Sequence, residues 1–522
     1  MMSLSRAIAT VGGLTMVSRV FGFARDLLTA IVLGAGPLAD AFFVALKLPN
    51  FFRRLFAEGA FSAAFVPMVS QRIEADGPEG GKDLAERALA LMIAFLVPFV
   101  ALGLIFMPAL VTVLAPGFID EPAKFNAAVD LARLTFPYLL LISITALLGG
   151  LLNSVGRFAP FAAAPILFNL SLIGALGFAH LTGYGAAPSM AYAVTIAGVL
   201  QLGLLVLFAL KARVAPRLVR PRLGPDMRKL LKLMGPGVIG GGVMQINLMI
   251  DTILASLLAS GAISWLFYAD RLYQLPLGVI GIAIGTALLP GLSRAMSAGR
   301  EQEATHLLSR ALEYSLLLAL PAALGLAIAS GPIIGALFQY GRFEASDTIQ
   351  TAMALSAYAV GIPAYVGVKV MNAAYFARQD TLSPVKIAVI CTVINTIASL
   401  ILIQFMGHAG IALATGVTAW LNASLLARGL RKAGQFKLDD RFRARFPRIV
   451  LAGLIMALVL AGAVLAAGPY GLGVDLTGDA LTRIGWMLGL IALGFVAYAL
   501  AVVATGAGRL HEITAGLRKK SP

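Results

Sequence analysis

Apolar residues run through this 522-residue chain in long blocks, separated by short polar or Gly/Pro-marked breaks. A helix needs about 20 mainly apolar residues to cross ~30 Å of hydrocarbon. Blocks of that kind lie near 7–34, 37–71, 84–115, 125–153, 159–181, 188–210, 233–259, 263–293, 305–330, 346–377, 384–406, 409–430, 449–468 and 481–507. The first two are the least regular, because both carry charges well inside. The pattern predicts an all-α polytopic membrane protein of about fourteen transmembrane helices.

Composition agrees: 59% of residues are apolar, 13% are charged, and the mean hydropathy is +0.89. A soluble domain carries roughly a quarter charged residues, so a water-soluble enzyme, a disordered chain and a disulfide scaffold are all excluded. Lys and Arg number 41 against 25 Asp and Glu, a formal net charge of +16. Such a balance suggests nucleic acid only where the charge forms an exposed patch. With the N-terminus placed in the cytoplasm, the loops near 72–83, 154–158, 211–232, 294–304, 378–386 and 428–448 are cytoplasmic. Together with Arg6 and the C-terminal segment they hold 28 Lys/Arg, and the external loops hold two, Lys124 and Arg342. This is the positive-inside asymmetry. It predicts a multi-pass inner-membrane protein with both termini cytoplasmic, membrane lipids as neighbours, and no nucleic-acid partner. The basic run from Lys211 to Lys232 reads as a solvated linker, with anionic-lipid contact as the alternative.

Several other chemistries lack their residues. Arg19, Arg25 and Asp26 interrupt the first apolar stretch, which is therefore read as a retained helix and not a signal peptide. Cys391 is the single cysteine, and His180, His306, His408 and His511 lie far apart, so no disulfide, structural metal or bound cofactor is expected. No loop is long enough for a catalytic or nucleotide-binding domain, and the chain is not expected to be an enzyme. The segment from Gly77 to Asp83 resembles a phosphate loop superficially, but no Ser or Thr follows Lys82.

The chain also echoes itself. Asp26 and Gly36 precede Pro49 and Pro67, as Asp251 and Gly261 precede Pro276 and Pro290. A repeat of six helices starts each half on the same side and gives parallel repeats. The expected organisation is an N-terminal lobe at 1–214, a second lobe at 215–435, and spans 13 and 14 with a cytoplasmic tail at 436–522.

The charges inside the first two spans are Arg19, Arg25, Asp26, Asp40, Lys47, Arg53, Arg54 and Glu58. A charge at the bilayer centre costs at least ~2.5–3.5 kcal/mol, so each should face a partner or a wet cavity. Arg19 and Asp26 are two helical turns apart and share a face. Asp40, Lys47 and Arg54 also recur every seven residues, followed by Glu58 and Ser62, which predicts a polar stripe along a helix kinked at Pro49. Internal salt bridges or snorkelling would explain balanced charges. Here five cations oppose three anions, and Asp270, Arg271 and Lys369 add out-of-place charges in the second half. Arginine in surplus suits an anionic cargo, because its paired donors match phosphate or carboxylate oxygens. A fainter group, Asp251, Asn395 and Thr415, offers hard oxygens to a small cation; hydrogen bonds between helices are the alternative for Asn395 and Thr415.

At these residues the chain closely resembles the MurJ (MviN) family of lipid II flippases. The resemblance is carried by Ser18-Arg-Val-Phe-Gly-Phe-Ala-Arg-Asp26, Ala39-Asp-Ala-Phe-Phe-Val-Ala45, Lys47-Leu-Pro-Asn50, Arg53-Arg-Leu-Phe-Ala-Glu-Gly-Ala-Phe-Ser62 and Phe65-Val-Pro67. Ala115-Pro-Gly-Phe118, Tyr268-Ala-Asp-Arg-Leu272, Gln339-Tyr-Gly-Arg-Phe343 and Arg378-Gln-Asp380 continue it. The resemblance implies a member of the multidrug/oligosaccharidyl-lipid/polysaccharide exporter superfamily. Two six-helix lobes would enclose a cationic cavity, and the last two helices would border a groove for a polyprenyl tail. The implied cargo is lipid II, the undecaprenyl-pyrophosphoryl disaccharide-pentapeptide of peptidoglycan synthesis. The family's functional charges fall on Arg19, Arg25, Asp40, Arg53 and Arg271, with Lys47 and Glu58 nearby. Its sodium site falls on Asp251, Asn395 and Thr415, with Ser399 standing where a second carboxylate would strengthen it, so the coupling cation is expected to be sodium or a proton.

Rival readings fit less well. A drug exporter for cations would favour an acidic cavity, whereas an exporter of another polyprenyl-linked saccharide would use the same cations. A membrane-embedded polyprenyl-phosphate transferase needs an acidic cluster at the membrane surface, and Asp439-Asp440 sits in a basic loop. A non-transporting scaffold leaves the buried charges unexplained.

Overall fold

A computed structural model describes residues 4–434, 436–466 and 479–508, with the backbone alone at 4–8, 55–58, 236–241, 243–244 and 282–287. The side chains of Arg6 and Glu58 and the expected tail at 509–522 lie outside the described residues. Among the described residues the regular elements are all helical. In chain order they are α1 (Leu4–Leu33), α2 (Pro37–Phe52), a π-helical turn (Arg53–Phe61), α3 (Ser62–Ile105), α4 (Met107–Leu114), a 3₁₀ turn (Pro116–Asp120), α5 (Pro122–Thr135), α6 (Tyr138–Ser154), α7 (Ala159–Thr182), α8 (Ala186–Lys211) and α9 (Pro225–Ser256). There follow α10 (Ala262–Ser297), α11 (Glu301–Ile328), α12 (Ser330–Phe338), α13 (Ala345–Ala359), α14 (Ile362–Phe376), α15 (Leu382–Met406), α16 (His408–Lys432), α17 (Asp440–Ala466) and α18 (Ala480–Thr505).

Ten of the expected spans reappear as helical stretches long and apolar enough to cross a membrane, from Gly59–Ile105 to Ala480–Thr505. The protein is therefore a multi-pass, all-α membrane protein. The other four expected spans fall on α1, on α2 with the π-helical turn and the start of α3, on α9 and on α10, which carry in-span charges or include residues described by backbone alone. Among the described residues eighteen α-helices are present because several spans are broken. Pro137 separates α5 from α6, and Pro108 and Pro363 sit in the first turns of α4 and α14. Each lacks the N–H that would continue the preceding ladder.

Two local expectations change. The segment at 72–83, expected as a loop, is helical except at Gly77, whose φ of 74° breaks α3 into two. Ion pairs one turn apart, Arg72–Asp76 at 2.9 Å and Arg87–Asp83 at 2.8 Å, carry the helix on either side. The stripe counted from Asp40 holds through Lys47 but ends before Arg54. Four residues after Pro49 the chain enters a π-helical turn at Arg53, and the wider turn shifts the side-chain register.

By packing, the chain forms two compact units. The first comprises Met1–Ser264 with Tyr340–Phe343, and the second Trp265–Gln339 with Glu344–Pro522. The packing boundary thus falls at the start of α10, whereas the repeat pattern places a lobe boundary at 214/215. In the first unit Phe65, Leu84, Leu147, Leu151, Leu205 and Met227 form one apolar core between α3, α6, α8 and α9. A small residue lets α3 approach the junction of α5 and α6: a Cβ on Gly103 would lie 2.3 Å from the Phe136 ring.

In the second unit α17 and α18 pack together through Met456, Leu460 and Leu490. A buried charge cluster fastens α17 to α11. Glu313, 1% exposed, accepts hydrogen bonds from Arg310, from Arg441 at 3.2 Å and from Arg445 at 2.7 Å. Asp439 accepts two more from Arg310 at 2.6 and 2.7 Å and caps α17 through the Phe442 N–H at 2.8 Å. Removing one member of a buried ion cluster strands the others, at a cost of about 3–5 kcal/mol. Glu313→Ala should therefore lower the stability of the purified protein by that order, and thermal unfolding in detergent measures it. Burial pushes the Asp439 carboxyl up, but the Phe442 N–H, Arg310 and His306 outweigh it and hold it below its ordinary 3.8. A depressed carboxylate stabilises the fold above 3.8 and loses that contribution as pH falls through its folded value. The unfolding temperatures of the wild type and Asp439→Asn should differ at neutral pH and converge below pH 3.8.

Candidate functional site

The charged residues of α1 and α2 are placed by the first unit, and they form two groups. In the first group Arg25 and Asp26 sit on α1 against α7. Arg25 donates from Nε and Nη2 to Asp26 Oδ1, at 3.1 and 2.7 Å, and from Nη1 to Asn169 Oδ1 at 2.9 Å. Its guanidinium lies 5.8 Å from the Phe168 ring centre. Asn169 is fixed in turn, because its Nδ2 donates to the Ser18 carbonyl at 3.0 Å. Gly22 faces it, the nearest Asn169 atom lying 3.5 Å from where a Cβ would be. Asp26 is buried and Arg25 partly so. Three of the five guanidinium N–H groups are occupied, which among the described contacts leaves one on each terminal nitrogen for an incoming anion. Arg19 is exposed, two turns earlier on the same helix.

Asp40 and Lys124 make the second group. Asp40, 1% exposed, does not lie against an arginine. Its Oδ2 accepts the Gly261 N–H at 2.7 Å, and its Oδ1 accepts the Ser264 N–H at 2.9 Å and the Ser264 hydroxyl at 2.7 Å. These donors are at the first turn of α10, where N–H groups have no intrahelical partner and the helix dipole favours an anion. Asp40 therefore caps α10 from a helix more than two hundred residues away in sequence. Its ion pair is with Lys124 on α5, Nζ to Oδ2 at 3.2 Å. The seven-residue spacing that places Asp40 and Lys47 on one face does not make them partners: Lys47 donates to the Thr252 hydroxyl on α9.

Arg53, half-buried at the start of the π-helical turn, donates from Nε to Asn50 Oδ1 at 3.2 Å, and Asn50 donates to the Leu46 carbonyl at 2.9 Å. Arg54 is exposed. Asp251 on α9 accepts from Asn247 at 3.5 Å. In the second unit Arg271 stacks over Phe267, its Cζ 4.6 Å from the ring centre. Asn395 and Ser399 are buried one turn apart on α15, and Thr415 on the packed helix α16 donates to the Ile411 carbonyl at 3.0 Å. Among the described residues no three His, Cys, Asp or Glu side chains converge to hold a metal.

Two contacts explain motifs that have no role in the sequence alone. A Cβ on Gly117 would lie 2.0 Å from the Ser256 carbonyl oxygen, so only glycine lets the Ala115–Phe118 turn press on the end of α9. Gly341, at φ +60°, sits against the end of α1, where the Arg342 N–H donates to the Ile31 carbonyl at 2.9 Å. Sequence reasoning missed Asn169, Thr252 and the pairing of Lys124. An asparagine in an apolar block was the one visible signal for Asn169. Nothing local marked Lys124 beyond its place outside the inside rule.

The architecture is shared with a known class of membrane transporters. A multidrug resistance MATE family transporter of the MOP superfamily, in an inward-facing conformation, matches with a TM-score of 0.69 over 82% of this chain and 98% of its own, at 15% identity. A lipid II flippase MurJ structure in an inward closed conformation matches better, with a TM-score of 0.78 over 94% of this chain and 97% of its own, at 26% identity. In sequence, a probable lipid II flippase MurJ of Rhizobium meliloti (strain 1021) is 40% identical over 99% of this chain and 97% of its own length. The lipid II flippase MurJ of Burkholderia cenocepacia is 36% identical over 88% and 90%. The profile of the family described as lipid II flippase MurJ matches residues 29–475. The chain belongs to the lipid II flippase MurJ family, a family of transporters and not of enzymes.

The Arg25 group makes a direct structural prediction. Asn169→Leu leaves a half-buried guanidinium N–H without its acceptor, at a cost of about 1–3 kcal/mol. Thermal unfolding of the purified variant should show that loss.

Proposed function

We propose that this chain carries lipid II from the cytoplasmic to the periplasmic leaflet of the bacterial inner membrane by alternating access through a cationic cavity. The family supplies the cargo class, and the arrangement around Arg25 is the observation that carries the chemistry. A guanidinium anchored on two sides by Asp26 and Asn169 is preorganised, so little side-chain entropy is lost when it meets an anion. Engagement of Asp40 at α10 removes one acid from the balance of the first two spans. The five cations there are then opposed by Asp26 and, from sequence, Glu58, a larger surplus than the sequence count implies.

In this reading Arg19, Arg25, Arg53 and Arg271 hold the pyrophosphate or the peptide carboxylates, with Lys47 and Arg54 adding field. Asp26 positions Arg25, and Asp40 closes the periplasmic face. That orientation follows the loop charges, which put both termini and the 28 loop cations in the cytoplasm. The lobes at 1–214 and 215–435 rock about the cargo while its polyprenyl tail stays in the bilayer beside spans 13 and 14. The membrane potential acts on unneutralised charge at about 2.3 kcal/mol per charge per 100 mV.

A coupling cation, sodium or a proton, is part of the proposal. Asp251, Asn395 and Thr415 would hold sodium, and each offers a hard oxygen suited to it. The Ser399 hydroxyl is buried on α15, one turn beyond Asn395, and its Oγ has no hydrogen-bond partner among the described residues, which fits a further neutral ligand there. Asp251 is the one charged donor in that set. A bound cation there would supply positive charge that offsets this carboxylate.

Charge-assisted hydrogen bonds contribute about 1.5–3 kcal/mol each, so Arg25→Ala should slow lipid II translocation by about ten- to a hundredfold. The assay is reconstitution into vesicles loaded with lipid II, with membrane insertion checked separately. Translocation at the wild-type rate by an inserted Arg25→Ala variant would remove the basis of this assignment.

A further inference from the structure

Lys124 is one of the two cations that the loop count places outside, and it is buried. Its ammonium lies 3.2 Å from Asp40 Oδ2, 2.7 Å from the Ser260 hydroxyl and 4.3 Å from the Phe118 ring centre. Glu121, half-exposed, is 3.7 Å away and also accepts from Ser260 at 3.1 Å. A buried lysine is costly unless paired. A solvated loop cation needs no such cage.

We propose that Lys124 is a positioning residue of the flipping cycle: it is the permanent counter-ion of Asp40, holding that carboxylate against α10 when the outer face is closed and neutralising it when α10 withdraws. The proposal rests on the reading of Asp40 as the outer closure. Its support is the division of Asp40's four partners. Three of them, the Gly261 N–H, the Ser264 N–H and the Ser264 hydroxyl, belong to the start of α10. The fourth is Lys124, on α5, which packs directly on α2, the helix that carries Asp40. When α10 leaves, the three neutral donors and the helix dipole go with it, and Ser260 leaves as well. Without Lys124 an acid would be left in a poorly hydrated recess, and the open state would be penalised. With Lys124 the closure can break and re-form, because both halves remain tolerable: an ion pair on one side, and on the other a helix end that water can solvate.

The chemistry gives a distinctive expectation. Asparagine is as good a helix cap as aspartate, so Asp40→Asn keeps one oxygen for the Ser264 N–H and hydroxyl, while its amide takes the place of the oxygen that accepts the Gly261 N–H. What Asp40→Asn removes is the charge together with one acceptor, and of these it is the charge whose loss strands Lys124. The defect of Asp40→Asn should therefore be relieved by also removing the lysine charge.

The test uses the full chain with Cys391→Ala and a reporter Ala262→Cys, a buried position at the first turn of α10. Labelling by a membrane-impermeant maleimide reads opening of the closure without cargo, and lipid II translocation is measured in parallel. Asp40→Asn and Lys124→Met should each change labelling by roughly tenfold or more and depress translocation, because each strands a buried charge. Lys124→Arg should largely preserve both readouts. The double variant Asp40→Asn/Lys124→Met should return labelling and translocation to within about threefold of the parent, a coupling that pairwise interaction energies of contacting residues permit. Lys124→Met behaving as the parent, or a double variant no better than Asp40→Asn, would overturn the proposal. The labelling cycle is independent of cargo. If the parent itself moved no lipid II, the transport reading would fail while the Asp40–Lys124 coupling could still be seen in labelling.

Discussion

A carboxylate buried in a membrane protein has to be matched by positive charge or by oriented dipoles, and Asp40 is matched by both. The end of α10 offers unpaired N–H groups, and Lys124 offers a full charge. Much of the first unit is arranged to make that meeting possible. The Ala115–Phe118 turn presses on the end of α9 and presents the Phe118 ring under the lysine, and α2 and α5 pack side by side so that acid and base share a recess. The same rule governs the second unit, where Glu313 and Asp439 collect Arg310, Arg441 and Arg445 between α11 and α17.

These two clusters differ in what they can release. The Glu313 cluster is held together by charged groups on both helices, so separating α17 from α11 would expose or strand several ions at once. That is a rigid fastening, suited to keeping α17 and α18 attached to α11. At Asp40 three of the four donors are neutral and belong to the α10 side, where water can take the place of their acceptor, while Lys124 stays with the carboxylate. A joint of this second kind can open repeatedly.

The fold was legible where it depends on hydropathy. Ten expected spans match described helices to within a few residues at most ends, since a lipid-facing helix must be apolar over a fixed length. Breaks within spans were less legible. Pro137 and Gly361 split expected single spans, and the π-helical turn at Arg53–Phe61 ended a register that looked continuous. At the site, the in-span charges announced themselves individually and their pairings did not. Arg25 meets Asp26, its neighbour, and Asn169, 144 positions away. Asp40 meets Lys124 and Gly261, and spacing within α2 carries no information about either. Partners brought together by tertiary packing leave no periodic trace, and Lys124 was visible only as an exception to the charge rule.

The contact between the end of α1 and the Tyr340–Phe343 segment is of another sort. Gly341 lies against the Ile31 carbonyl, and a Cβ on Gly34 would meet the Arg342 carbonyl at 2.6 Å, so main chain touches main chain with no side chain between. Its one described hydrogen bond joins two peptide groups, and peptide groups carry no net charge. The bond itself joins neutral groups, on which a membrane voltage acts weakly, whereas the acid and lysine on α2 and α5 carry full charges. Two fastenings of the same unit thus answer to different stimuli, one to geometry and the other to the field.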